Sequence, residues 1–114
     1  MIRRGEIYWL QLPDGQGSVQ AGLRPVLVIQ NDIGNQASSI TIVAAITSQP
    51  RPRQYPFHVH FTAAESGLRL DGTVLCEQVQ TVDQASLGRL AGALDHLKMS
   101  EVDTALRFSF GLEH

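Results

Sequence analysis

The side chains best placed for chemistry in this 114-residue chain are one arginine and two adjacent hydroxyls, each at the end of an apolar run. Arg24 stands in GLRPVLVIQND, residues 22–32, between a glycine-leucine pair and a proline, directly before a run of β-formers. Thr47 and Ser48 close a second apolar run in AAITSQP, residues 44–50, where hydroxyls have no core role but can face a cleft. If the two runs are neighbouring antiparallel strands, Arg24 and Thr47 meet at the base of the Gly-rich stretch that precedes Arg24. A guanidinium offers paired N–H donors that match a phosphate, so one cation and one hydroxyl would then face an anionic group together. A plainer reading stays open on these residues alone: an exposed arginine near the start of one strand and a threonine ending another.

Other reactive side chains offer less. His58 and His60 lie two apart and share a strand face, but two ligands without a nearby third carboxylate or thiolate make a poor metal site, so a solvated strand face is expected and no metal. The single Cys76, in TVLCEQV, reads as a small buried hydrophobe. CxxC, HExxH, GxxxxGK[ST] and GxSxG are all absent, so nothing supports a metal, nucleotide or hydrolase site of those kinds, and no cofactor is expected.

The elements that must position these groups follow from hydrophobic period. GEIYWLQL (residues 5–12) is predicted as a first strand, and PDGQGSVQAGL (13–23), rich in Gly, Pro, Asp and Ser, as a loop. PVLVIQN (25–31) is continuously apolar from Val26 to Ile29, which predicts a strand buried on both faces, with Pro25 at its first residue, where a missing N–H is tolerated. DIGN reads as a turn, and SITIVAAITS (39–48) as a second buried strand. The three prolines of QPRPRQYP (49–56) forbid regular structure. FHVHFT (57–62) alternates as a strand, ESGLRLDG (65–72) turns, TVLCEQVQTV (73–82) and RLAGAL (89–94) are strands, and the period then changes. Met99, Val102, Leu106 and Phe110 recur at helical spacing, Asp95 can cap the start and Gly111 end it. Closely spaced antiparallel strands with one terminal helix predict a mainly β fold, a small half-open barrel with a C-terminal helix packed on it.

Composition bounds the partners. At 43% hydrophobic the chain suits one domain over residues 1–111, and residues 112–114, LEH, resemble the start of an expression tag. The longest apolar run, residues 40–46, is far short of the roughly 20 that cross a bilayer. The N-terminus has no signal-type apolar stretch, and one cysteine cannot form an internal disulfide, so a cytoplasmic location without membrane contact is expected. A net charge of −2 argues against bulk electrostatic binding of nucleic acid. Residues 1–60 carry +2, however, and residues 61–114 carry −4, so a polyanion site would be local and built from the first half.

RRGEIYWLQLPDGQGSVQAGLRPVLVIQNDIGN followed by TIVAAITSQ closely resembles the MazF/PemK family of toxin endoribonucleases. That family shows R-G-[ED]-[IV], a Gly-containing loop, G-x-R-P-V-[LV]-[VI]-[IV]-[QS]-N-[DN], and a strand ending [AP]-[IL]-T-[ST]. The likeness continues through GLRLDGTVLCEQVQTVD and the final helix, so essentially the whole chain is covered. One departure matters: Gln80 stands where the family commonly has arginine, which removes one phosphate or strand-pairing contact.

The resemblance implies an SH3-like half-open barrel of the PemK/CcdB-like toxin type that works as a homodimer. It implies a metal-independent endoribonuclease that cuts single-stranded mRNA at short sequences and is neutralised by a cognate MazE-like antitoxin. In such families the arginine and threonine matching Arg24 and Thr47 are the catalytic pair. Ser48 follows Thr47, Arg51 and Arg53 would track the RNA backbone, and Gln16, Ser18, Gln20, Glu77 and Gln78 would read base edges. DNA, which lacks the 2′-hydroxyl, would bind without being cut. Two other readings compete, a gyrase-targeting toxin on the same fold and a catalytically silent SH3-like binding module; both would be expected to have lost the arginine or the threonine.

Overall fold

The computed structural model describes residues 1–13, 17 and 21–112. Gln16, Ser18 and Gln20, like Glu113 and His114, lie outside the described residues. Six strands, β1 (Glu6–Leu12), β2 (Gly22–Val28), β3 (Ile40–Thr47), β4 (His58–Phe61), β5 (Gly72–Asp83) and β6 (Leu90–Ala93), form one sheet in the order β4-β5-β3-β2-β1-β6. Every neighbouring pair is antiparallel. The sheet curls into a half-open barrel, as expected, and α3 (His96–Ser109) packs on it.

The continuous apolar runs of β2 and β3 have their expected cause. Leu27, Ile29, Ala44 and Ile46 enter the core that α3 covers, whereas Val26, Val28 and Val43 enter a second cluster with Leu10 and Leu12. Alternate residues therefore serve opposite faces, and both faces are apolar. Asp95 caps α3 by accepting from the Lys98 N–H at 2.9 Å. The helix buries Met99, Val102 and Ala105; Leu106 is only half-buried and Phe110 is exposed. The helical stripe is thus read correctly at its start and drifts off at its end, because residues four apart advance past the narrow contact line on the sheet.

Two predicted turns contain short helices. DIGN opens α1 (Asp32–Ala37), whose N-cap Asn31 accepts from the Gly34 N–H at 2.7 Å. ESGLRLDG begins inside α2 (Ala63–Ser66), which starts with a capping box: Thr62 and Glu65 each accept from the other's backbone N–H. The sequence signal, Thr-x-x-Glu, was present but lies ahead of no apolar run long enough to advertise a helix.

Asp32 also accepts from the Arg4 N–H at 2.7 Å, and this hydrogen bond is the main cause holding its carboxyl below the usual range. A carboxyl with a depressed folded-state pKa stabilises the fold above its ordinary pKa and loses that contribution as pH falls through the folded value. Asp32→Asn is therefore expected to melt below the wild type at pH 7, with the difference closing below about pH 4; a difference that stays constant with pH would overturn the assignment. At Gly92 an added Cβ would collide with the Ser66 carbonyl oxygen, which is backbone and cannot rotate aside. Gly92→Ala should cost about 1–3 kcal/mol in urea unfolding.

Candidate functional site

Register brings the two candidate residues together. On β2 and β3, Val26 pairs with Ala45, Leu27 with Ala44 and Val28 with Val43. Extended two residues, the same register sets Arg24 across from Thr47, and both line one cleft of about 540 Å³ with Trp9, Pro25, Phe61 and Arg69. Arg24 is not at a loop-strand junction, as the sequence suggested, but is the third residue of β2, opposite Leu10 of β1. The ladder to β1 runs out to Gly22, whereas the ladder to β3 begins only at Val26, just past Pro25. Arg24 is therefore fixed by one neighbouring strand and left open on its other edge.

The Arg24 Nε donates to the Ala21 carbonyl at 3.0 Å, and no other polar partner of this side chain occurs among the described residues. That contact aims the guanidinium while leaving its terminal N–H groups available. Thr47 is buried, and its Oγ1 accepts from the Gln49 N–H at 3.2 Å, so its own proton can be donated elsewhere. Ser48, exposed, forms part of the rim. β5 enters beside them at Gly72, where a Cβ would lie 2.6 Å from Phe61 Cζ and 3.1 Å from the Thr47 carbonyl oxygen. Only glycine lets β5 pass this close to the cleft floor.

Arg69 and Asp71 also line the cleft, although in sequence they sit in ESGLRLDG, a segment with the composition of a plain turn. After α2, Gly67 takes a left-handed conformation with φ 81°, Leu68 packs on the core, and Asp71 is tied down by the Ala63 N–H at 2.8 Å. These anchors carry Arg69, itself exposed, to the cleft wall, so a second arginine lines the site. A cation in a turn gave no hint of this, because only the sheet order puts that turn beside β2.

The other sequence candidates are distributed. Arg51, half-buried, lines an adjoining cleft of about 450 Å³ that shares Ser48, Phe61, Asp71 and Gly72 with the first. Arg53 is exposed and lines neither. Glu77 and Gln78 are not part of the Arg24–Thr47 cleft. They sit in a bulge of β5, where the β3 partner jumps from Val79 to Leu75, and line a third cleft of about 290 Å³ with Leu12, Pro13 and Gln80. The histidines do not form the solvated face expected of them. His58 Nε2 lies 2.9 Å from Glu77 Oε2, its side chain is only 5% exposed, and the Tyr55 and Phe57 rings stand edge-on to it. His60 Nδ1 lies 2.8 Å from Thr73 Oγ1. Among the described residues no group of three or more His, Cys, Asp or Glu is arranged to hold a metal ion.

Residues 3–110 match the family of PemK-like, MazF-like toxins of type II toxin-antitoxin systems. The chain belongs to this family. It is 44% identical over 112 residues to endoribonuclease EndoA of Bacillus subtilis (strain 168), a match that covers 98% of this chain and 97% of the relative. An endoribonuclease from a mycobacterial species, solved with its cognate antitoxin, superposes with a TM-score of 0.82 at 23% identity over 100% of this chain and 99% of that one. MazF from Deinococcus radiodurans superposes with a TM-score of 0.75 at 28% identity over 96% of both chains.

In this PemK-like toxin Cys76 takes no part in the cleft chemistry. It is fully buried, and that burial, with a smaller push from the Glu77 charge, raises its thiol pKa to about 12. The thiolate is the reactive form. Iodoacetamide at pH 8 should leave Cys76 unmodified in the folded protein and alkylate it fully in guanidinium, as read by mass spectrometry.

Proposed function

We propose that this toxin is an endoribonuclease that cuts single-stranded mRNA without a metal ion, with Arg24 and Thr47 at the reacting phosphate. The observation that carries the reading is the β2–β3 register, which sets a guanidinium and a hydroxyl on one cleft in a chain of this family. An RNA 2′-hydroxyl can attack its own adjacent phosphorus. The P–O5′ bond then breaks, and the products are a 2′,3′-cyclic phosphate and a 5′-hydroxyl. The enzyme need only orient the strand, stabilise charge and let the proton pass from the 2′-oxygen to the leaving oxygen, directly or through water. Arg24, always charged, supplies paired N–H donors to the pentacoordinate oxygens but is a poor base. Thr47 donates its O–H to a phosphate oxygen or to the leaving oxygen.

Sequence choice falls to unpaired base edges, read by Gln16, Ser18 and Gln20 and, at the β5 bulge, by Glu77 and Gln78. The working unit is a homodimer in the cytoplasm, held in check by a MazE-like antitoxin. The mycobacterial endoribonuclease was solved with its cognate antitoxin, and Deinococcus MazF with MazE.

The test is incubation of the purified, tag-free protein with a long single-stranded RNA in excess EDTA, with fragment ends mapped. Discrete cuts with 5′-hydroxyl ends are expected. Arg24→Ala and Thr47→Ala should each lower kcat/KM by about 10²–10³ with the far-UV circular dichroism unchanged. A folded wild type that cuts none of several RNAs would turn the reading toward a gyrase-targeting toxin or a binding module.

A further inference from the structure

The pair of His58 and Glu77 has no part in the chemistry at Arg24 and Thr47. His58 opens β4 opposite Leu75 of β5, and the strands stay tied one step further on, where the Cys76 N–H donates to the Phe57 carbonyl at 3.0 Å. The bulge of β5 begins directly after Leu75, so Glu77 comes to rest beside the His58 ring, with its Oε2 2.9 Å from Nε2. A carboxylate only accepts, so Nε2 carries a proton and donates it. The ring has little room to turn away. Tyr55 and Phe57 stand edge-on to it with centroids 5.4 and 4.9 Å distant, and the His58 side chain is only 5% exposed.

The cleft that this pair borders shows what the carboxylate can take. Glu77 lines the cleft at the β5 bulge with a side chain 37% exposed, and its Oε1 has no partner among the described residues. No cation is among the described residues that line this cleft. A carboxylate without a cation beside it repels a phosphate, so the RNA backbone is not what it receives. It suits a base edge that offers N–H donors, as the exocyclic amino groups of adenine, cytosine and guanine do. An unanchored glutamate would lose rotamer freedom on making that contact. His58 removes this cost in advance by fixing one oxygen and leaving the other to accept.

We infer that His58 is a positioning residue for base selection: it holds the Glu77 carboxylate at the bulge cleft, where Glu77 accepts from the exocyclic amino group of one unpaired base. The inference rests on the endoribonuclease reading above. His58 itself touches neither the base nor the bond that breaks, and acts only through Glu77.

The experiment first maps the sequence that the wild type cuts, then uses a short RNA of that sequence in which each amino-bearing base is replaced in turn by its analogue without the amino group. At one position the replacement should lower the wild type's kcat/KM about tenfold. In Glu77→Ala and in His58→Leu that ratio should fall to near one, and His58→Gln, which keeps a donor, should restore most of it. The Glu77→Ala/His58→Leu double variant should lose no more than either single variant. A His58 that only supported the fold would lower the cutting of every RNA alike and leave the ratio unchanged, which overturns the inference. Ring-nitrogen NMR of the folded wild type needs no variant. A proton on His58 Nε2 is expected, whereas a neutral ring with its proton on Nδ1 could not donate to Glu77 and overturns the inference too. So does a wild type that cuts the RNA and tolerates every replacement. A folded wild type that cuts no RNA overturns the endoribonuclease reading instead.

Discussion

The register of β2 on β3 is the constraint on which the rest of this molecule depends. Each strand is buried on both faces, so Val26, Val28 and Val43 belong to one apolar cluster while Leu27, Ile29, Ala44 and Ile46 belong to the other. A slip of one residue would exchange the faces of a whole strand and leave both clusters mispacked. The packing that forbids this slip also fixes Arg24 across from Thr47, beyond the last paired residues. The site is therefore as precise as the core, although Arg24 itself is exposed.

Charge is arranged to the same end. The second half of the chain is acidic, yet many of its carboxylates are occupied in holding structure. Glu65 closes a capping box, Asp95 caps α3, Asp71 fixes the turn after α2, and Asp103 accepts from Arg4 at 2.6 Å, which ties the N-terminus to α3. Arg24 and Arg69 form no ion pair among the described residues, although Asp71 lies in the same cleft. A protein with a net charge of −2 thus keeps a local cationic cleft, and its affinity for an anion would come from that cleft rather than from the molecule as a whole.

Legibility in the sequence followed the range of the interaction. The buried strands, the capped terminal helix and the buried cysteine were readable because hydrophobic period and capping chemistry are local. The helices at residues 32–37 and 63–66 were not, since each is too short to show a period and is held mainly by its cap. His58 was misjudged for a different reason. Two histidines on one strand face look solvated until His58 meets Glu77 of the β5 bulge, Tyr55 of the proline-rich segment and the ring of its own neighbour Phe57.

By itself the sequence determined which residues carry usable chemistry and that two apolar runs end beside them, because side-chain type and alternation are written along the chain. Only the tertiary structure decided which of those residues share a cleft. It set Arg69 and Asp71 on one cleft with Arg24, moved Glu77 and Gln78 to a separate cleft at the β5 bulge, and placed His60 and Arg51 on the adjoining cleft. The physical reason is that strand order and bulges arise from packing between residues far apart in the chain, and no local pattern encodes where a turn will come to rest against another strand.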